Sequence, residues 1–249
     1  MNKQLSLFPP VTVVILSRSD DNIKLAVQSV RHNDPTLPII VIDDGLHPLT
    51  WPVLKAWGVR RIVPVVRWLE QPDGSFVRQP RDIEFVFARN ANLGIRAAFN
   101  SGSLAAVLMN DDCALQTPGG FSHLYTYAES IPDFGLISAS FDTATLPWQQ
   151  QCQLGSEFST VSSLMFPCVL IPREVFVAVG PLDESFVHYG FDDVDYCDRV
   201  RAAGYLLAVD HGCYVTHSGR SEYRSRSNWR QLMAANQLIY ERKKAHSNV

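Results

Sequence analysis

An amide and two carboxylates stand in a row at Asn110-Asp111-Asp112, directly after the apolar run of residues 104–109. Oxygen donors of this kind suit magnesium or manganese, ions that also bind diphosphate oxygens. The same triplet suits a polar turn with a helix cap, because Asn and Asp favour turns. A second acidic cluster lies at Gly190-Phe191-Asp192-Asp193-Val194-Asp195. Asp192 and Asp193 either open a helix, where acids meet the positive dipole end, or present a general base there. Asp195 and Arg199 are spaced for an i, i+4 ion pair. His217 follows a short β-like run and opens a Gly/Ser/Arg stretch. A lone histidine is commonly structural, but one at a strand end facing carboxylates suits a metal.

These side chains need elements to hold them. Residues 11–16 are apolar and largely β-branched, which predicts a buried strand. Ser19, Asp20 and Asp21 can cap a helix whose apolar face is Ile23, Ala26, Val27 and Val30. A second strand over residues 39–42 ends in Asp43-Asp44-Gly45; a helix near 52–57 stops at Gly58, and residues 61–66 read as a third strand. This alternation predicts right-handed crossovers and a parallel sheet, with ligands beyond the carboxyl ends of the strands. Asp43, Asp44, Ser17 and Arg18 all stand at such ends. Residues 70–84 read as a loop or small hairpin, residues 92–101 as helix, and residues 104–109 as the strand before the acidic triplet.

The second half is less regular. Helices are expected near 120–129, 173–179, 193–203 and 228–244, and strands near 134–139, 164–171, 206–209 and 213–216. The whole chain reads as one α/β domain, a mixed central sheet flanked by helices. Its nucleotide-binding half is about residues 10–105, its metal and acceptor half about 106–220, and its C-terminal helix about 221–249.

Composition bounds the alternatives. Hydrophobic residues make up 46% and charged residues 19% of the 249, values of a globular chain able to bury a core. The net charge of -3 argues against a protein that coats DNA. The first residues lack the apolar core of a secretory leader, and no stretch reaches the roughly 18 apolar residues of a membrane span. Five cysteines (113, 152, 168, 197 and 213) without C-x-x-C spacing fit reduced thiols and a cytoplasmic setting.

Taken in order, these pieces resemble the family 2 glycosyltransferases of the GT-A (Rossmann-like) fold, over roughly residues 10–220. The resemblance is carried by Val41-Ile42-Asp43-Asp44-Gly45, Ala88-Arg89-Asn90-Ala91-Asn92-Leu93-Gly94 and Leu108-Met109-Asn110-Asp111-Asp112. It continues in Val179-Gly180-Pro181-Leu182-Asp183, in Gly190-Phe191-Asp192-Asp193-Val194-Asp195, and in Val215-Thr216-His217. It implies that Asp43 bonds the donor's base, with Ser17, Arg18 and Asp44 near it. Arg89 or Asn92 would lie by the nucleotide or its diphosphate. Asp112 would be the chief ligand of Mn2+ or Mg2+, helped by Asp111 or Asn110 and by His217. Asp193 would be the base that deprotonates an acceptor hydroxyl, with Asp192 beside it, in a single inverting displacement. Two positions depart from the family pattern: Asn110 stands where Asp is usual, and Asp192 where Glu is usual.

The resemblance further implies a UDP-, GDP- or dTDP-sugar donor and a carbohydrate or lipid-linked acceptor, as in surface polysaccharide synthesis, on a cytoplasmic protein that can be peripheral to the membrane. Trp148 in residues 145–151 suits a sugar-stacking acceptor loop and equally a buried anchor. Residues 220–230 carry four arginines. They suit closure over a diphosphate, or contact with a phosphorylated lipid or a nucleic-acid acceptor. A sugar-phosphate nucleotidyltransferase would carry glycines in the loop after the first strand, and Ser17-Arg18-Ser19-Asp20-Asp21 has none. A non-catalytic nucleotide- or sugar-binding module is the remaining alternative.

Overall fold

The computed structural model describes residues 10–65, 67–78, 85–131, 133–151, 158–219 and 228–247. The first strand, β1 (Val11–Ser17), is buried at every position, as is β2 (Ile39–Asp43). Continuous apolar runs are what parallel strands covered on both faces require. Between them, α1 (Asp20–Asn33) starts at Ser19, whose hydroxyl accepts the Asn22 N–H, and buries Ile23, Ala26, Val27 and Val30. A short α2 (Trp51–Ala56) leads to β3 (Val59–Ile62), which begins and ends earlier than the apolar pattern predicts. A hairpin of β4 (Trp68–Glu70) and β5 (Phe76–Arg78) follows.

The next helix, α3 (Phe87–Asn100), starts well before the predicted Asn92. Gly94 lets it lie directly on the sheet: a Cβ there would sit 2.2 Å from Val14 Cγ1. Then come β6 (Ala105–Asn110), β7 (Cys113–Leu115), α4 (Gly120–Ser130) and β8 (Phe134–Phe141). After these stand β9 (Phe158–Val161), β10 (Cys168–Pro172), α5 (Arg173–Val179) and α6 (Asp192–Ala202). The two short strands expected near 206–209 and 213–216 are one strand, β11 (Leu206–His217), with a register shift between Asp210 and Tyr214. The chain ends in α7 (Trp229–Ser247).

Among the described residues, one nine-stranded sheet runs in the order β3-β2-β1-β6-β10-β8-β11-β7, with β9 paired to β11. Strands β3, β2, β1 and β6 are parallel, as the first-half alternation predicts, whereas β10 runs antiparallel to β6 and β8. Alternate residues of each strand face opposite layers. Val13 and Ile15 pack with Ile23, Leu54 and Phe121 on one side. Val14 and Leu16 pack with Ile95, Val175 and Tyr196 on the other. The order reverses at β1, so the crevice between the carboxyl ends of β1 and β6 is where such a sheet takes a ligand. No helix among the described residues is long and apolar enough to cross a membrane. Cys113, Cys168, Cys197 and Cys213 are buried free thiols; Cys152 lies outside the described residues.

Candidate functional site

That crevice is closed by a carboxylate. Asp111 Oδ2 accepts the Ser17 hydroxyl at 2.7 Å and the backbone N–H groups of Arg18 and Ser19 at 3.1 and 3.2 Å. Burial pushes the Asp111 carboxyl up from its ordinary value, against the pull of these hydrogen bonds. The group therefore holds the β1–α1 turn to the end of β6. Arg18 extends from that turn with its guanidinium 5.2 Å from the Phe85 ring centroid.

Asp43 is likewise committed to protein partners. Its Oδ1 accepts the N–H groups of Gly45 and Leu46, and its Oδ2 accepts Arg61 Nε at 2.7 Å. Asp44 differs. Its Oδ1 accepts both Nε and a terminal nitrogen of buried Arg67, at 3.1 and 2.8 Å, while Oδ2 is buried and takes no hydrogen bond. The Trp68 indole N–H donates to Gly45 O at 3.2 Å, which folds the β4–β5 hairpin against this turn.

Asp112 and His217 meet because of strand register. In the antiparallel β7–β11 pair His217 stands opposite Cys113, and the Ser218 N–H donates to Asp112 O at 3.0 Å. The His217 backbone is pinned further, its N–H to Asp142 Oδ1 and its carbonyl to the Thr143 hydroxyl. This leaves His217 Nε2 3.4 Å from Asp112 Oδ2, a buried oxygen with no well-formed hydrogen bond. Donor atoms of Asp112, Cys113 and His217 lie within 4.8 Å of one another. Burial holds the Cys113 thiol well above its usual range, and its Sγ–H donates to Pro167 O. The pair that fits a hard divalent ion is therefore the Asp112 carboxylate with the His217 imidazole. Asn110 ends β6, its N–H donating to Pro167 O at 2.8 Å.

The Asp192-Asp193 pair opens α6 behind a contorted turn. His188, Gly190 and Phe191 all have positive φ (62°, 110° and 67°), which is costly for the two bulky residues and clusters at functional sites. The turn is tied to the start of α3 by the Phe87 N–H, which donates to His188 O at 2.7 Å. Asp192 Oδ1 accepts the Gly190 N–H at 2.9 Å, and its buried Oδ2 takes no hydrogen bond among the described residues. Half-buried Asp193 accepts the N–H of Val194. Burial raises both carboxyls above the ordinary aspartate value, and for Asp192 the charge of Asp193 adds to it. A pair so raised is poised to take a proton near neutral pH.

Asn92 holds protein to protein: its amide donates to Leu182 O and Glu184 Oε1 and accepts the Leu182 N–H, all within 2.9 Å. Arg89 lies half-buried in the first turn of α3. Asn90, beside it, is fully buried with both its amide nitrogen and oxygen unpartnered. The Ala88-Arg89-Asn90 segment was visible in the sequence, but the frame that singles out Asn90 appears only once α3 is seen to begin at Phe87. Arg67 carries no sequence signal at all. Trp148, 39% exposed in a short turn, donates its indole N–H to Ser163 O and leaves part of its ring open. In the basic stretch, residues 220–227 lie outside the described residues.

No family model matches the chain. The uncharacterized protein y4gI of Sinorhizobium fredii (strain NBRC 101917 / NGR234) is 25% identical over 232 residues, covering 79% of this chain and 23% of its own length. Among solved structures, GalNAc-T7 with UDP, GalNAc and Mn2+ superposes with a TM-score of 0.64 at 13% identity, over 85% of this chain and 44% of that one. The mannosyltransferase PcManGT from Pyrobaculum calidifontis, in complex with GDP-Man and Mn2+, gives a TM-score of 0.55 at 12% identity, over 88% of this chain and 60% of that one. This chain thus spans less than two thirds of each of these proteins. The mixed sheet, its flanking helices and these superpositions together give the chain the GT-A, Rossmann-like fold of nucleotide-diphospho-sugar transferases.

Proposed function

We propose that this protein is a metal-dependent glycosyltransferase of the family 2 type, moving a sugar from a nucleotide diphosphate to an acceptor hydroxyl with inversion. The observation that carries the reading is the buried Asp112 oxygen, which takes no hydrogen bond among the described residues and lies 3.4 Å from His217 Nε2, at the edge of the sheet where such folds take ligands. A buried carboxylate oxygen without a donor is costly unless something else meets it. A carboxylate with an imidazole suits Mn2+ better than Mg2+, which prefers an all-oxygen shell. When bound, such an ion neutralises charge on a departing diphosphate.

The chain's own groups then divide the work. Asp193 takes the proton of the acceptor hydroxyl, helped by the burial that raises its affinity for that proton. Asp192, fully enclosed beside it, is raised by its own burial and by the charge of Asp193, so the two carboxyls share the cost of ionising. Asp44 replaces Asp43 as the group that reads the donor's base, because only Asp44 retains an oxygen without a donor. Arg18 and Arg89 stand where diphosphate charge needs cations. Trp148 offers a ring face to an acceptor sugar. Binding of UDP with Mn2+ by one fold neighbour, and of GDP-Man with Mn2+ by the other, supports UDP- or GDP-sugars as first donors to try. The setting we favour is cytoplasmic synthesis of a surface polysaccharide.

The test is nucleotide release from UDP-, GDP- and dTDP-sugars with Mn2+, in the native protein and in Asp112→Ala. Metal-dependent release from one donor, lost in the variant, supports the reading. Absence of both nucleotide release and calorimetric binding for every donor overturns it.

A further inference from the structure

The turn that carries Asp192 and Asp193 does not hold its own shape. Tyr189 N–H donates to Val187 O at 2.9 Å around His188, whose φ is 62°. This is a γ-turn of the rarer, strained hand. Gly190 and Phe191 then continue with positive φ. Positive φ at the two non-glycine residues, His188 and Phe191, persists only where surroundings over-determine it.

One side chain, Asn236 on α7, bonds the turn at four backbone atoms. Its Oδ1 accepts the Val187 N–H at 2.9 Å. Its Nδ2 lies within hydrogen-bond distance of three carbonyls, those of Val187 at 2.8 Å, Tyr189 at 3.3 Å and Gly190 at 3.0 Å. Asn236 is wholly buried. Met233, one turn earlier, fills the space over Gly190: a Cβ added there would sit 2.4 Å from its Sδ. Further along the same face, the Tyr240 ring lies 5.7 Å from that of Phe191, and Lys243 pairs with Asp183 and Asp195. Spacings of three and four residues put these four side chains on one stripe of α7. That stripe therefore faces the turn, the first half of α6 and the loop at Asp183.

We propose that Asn236 is a positioning residue: its carboxamide holds the Val187–Gly190 backbone in the strained turn that aims Asp192 and Asp193. The proposal rests on the transferase reading for the role of those carboxylates, but the hold itself is a physical claim with its own readout. Without the amide, the turn relaxes toward negative φ and the start of α6 swings. A displacement of about 1 Å at a reacting group costs roughly 100-fold in rate.

The experiment compares the full chain with Asn236→Ala and Asn236→Asp. The second keeps the size and the acceptor for Val187 N–H while losing the amide donors, and serves if the first folds poorly. Tyr240→Phe, on the same helix as Asn236, loses the hydroxyl bond to Asp198 of α6 and the one accepted from Lys244, and controls for general loosening of α7. Amide hydrogen exchange is read first. Exchange at residues 187–194 rises at least about tenfold in both Asn236 variants and stays near native in Tyr240→Phe. With a donor that the native protein turns over, kcat falls about 10- to 100-fold while donor KM stays within about threefold. Exchange unchanged at 187–194, or raised equally across the whole chain, overturns the proposal. So does raised local exchange with native kcat. If the native protein turns over no donor, the transferase reading alone fails, and the exchange result still decides whether Asn236 holds the turn.

Discussion

Aspartates at the two flanks of the crevice stand in the same kind of place, a strand end or a helix start, and do different things. On the side of β1 and β2, Asp111 and Asp43 are met by Ser17, Arg18, Ser19, Gly45, Leu46 and Arg61, so their charge is spent on the scaffold. On the side of β7 and α6, Asp112 and Asp192 each keep a buried oxygen that takes no hydrogen bond among the described residues, that of Asp112 lying 3.4 Å from His217 Nε2. Satisfied carboxylates hold a fold together, and unsatisfied ones cost stability that function has to justify. The difference separates neighbours in sequence: Asp111 belongs to one class and Asp112 to the other.

The widest separation is expected between those two neighbours. Asp112→Ala should remove metal-dependent donor turnover by about 10⁴-fold, several kcal/mol of transition-state charge, while the melting temperature holds or rises. Calorimetry with Mn2+ and a melting curve read both. Equal loss of stability in Asp111→Ala and Asp112→Ala would erase the contrast. Next in size, Asp193→Asn should cut turnover about 10³-fold with donor affinity kept, which a release assay beside a binding titration resolves.

On the scaffold side the effects are smaller and fall on stability. Asp111→Ala strands the Ser17 hydroxyl and two backbone N–H groups. It should cost about 1–3 kcal/mol, read as a melting temperature lower by several degrees. Gly94→Ala drives a methyl group toward Val14 and should cost a comparable 1–3 kcal/mol, roughly, by denaturant titration.

The subtlest prediction concerns pH. Burial raises the Asp192 carboxyl in the folded state, so the folded protein binds the proton more tightly than the unfolded chain does. Stability from this group is then greatest at low pH and is lost as pH rises from the ordinary aspartate value through the raised one. Asp192→Asn removes that loss. Its stability relative to the native protein should therefore climb between pH 4 and pH 8, roughly, and a flat difference would mean the pair is not charged at a cost.

The sequence carried the frame well and the partners poorly. Strands β1, β2 and β6 announce themselves through unbroken apolar runs, and the acidic triplet through its place after one of them. His217 was readable as a strand-end histidine, and the β7–β11 register explains why it meets Asp112. What spacing cannot supply is which oxygen already has a donor. Ser17 and Asp111 are 94 positions apart, and Asn92 and Leu182 are 90 apart, so neither pairing leaves a local trace. For this reason Asp43 and Asn92, expected at the donor, also hold the protein to itself, and Asn236 and Arg67 carry no signal in the sequence.

The pairing of β7 with β11 also dates the proposed metal site within the life of the chain. Asp112 and His217 come together only when a late strand returns to one laid down a hundred residues earlier, a contact of large loop-closure cost that forms slowly. Side chains alternate along a strand, so a slip of one residue would turn the imidazole to the opposite face. A chain that captures the ion has therefore both finished folding and folded in register. If the proposed site takes Mn2+, the affinity for that ion would gauge the maturation of this protein, independent of any sugar.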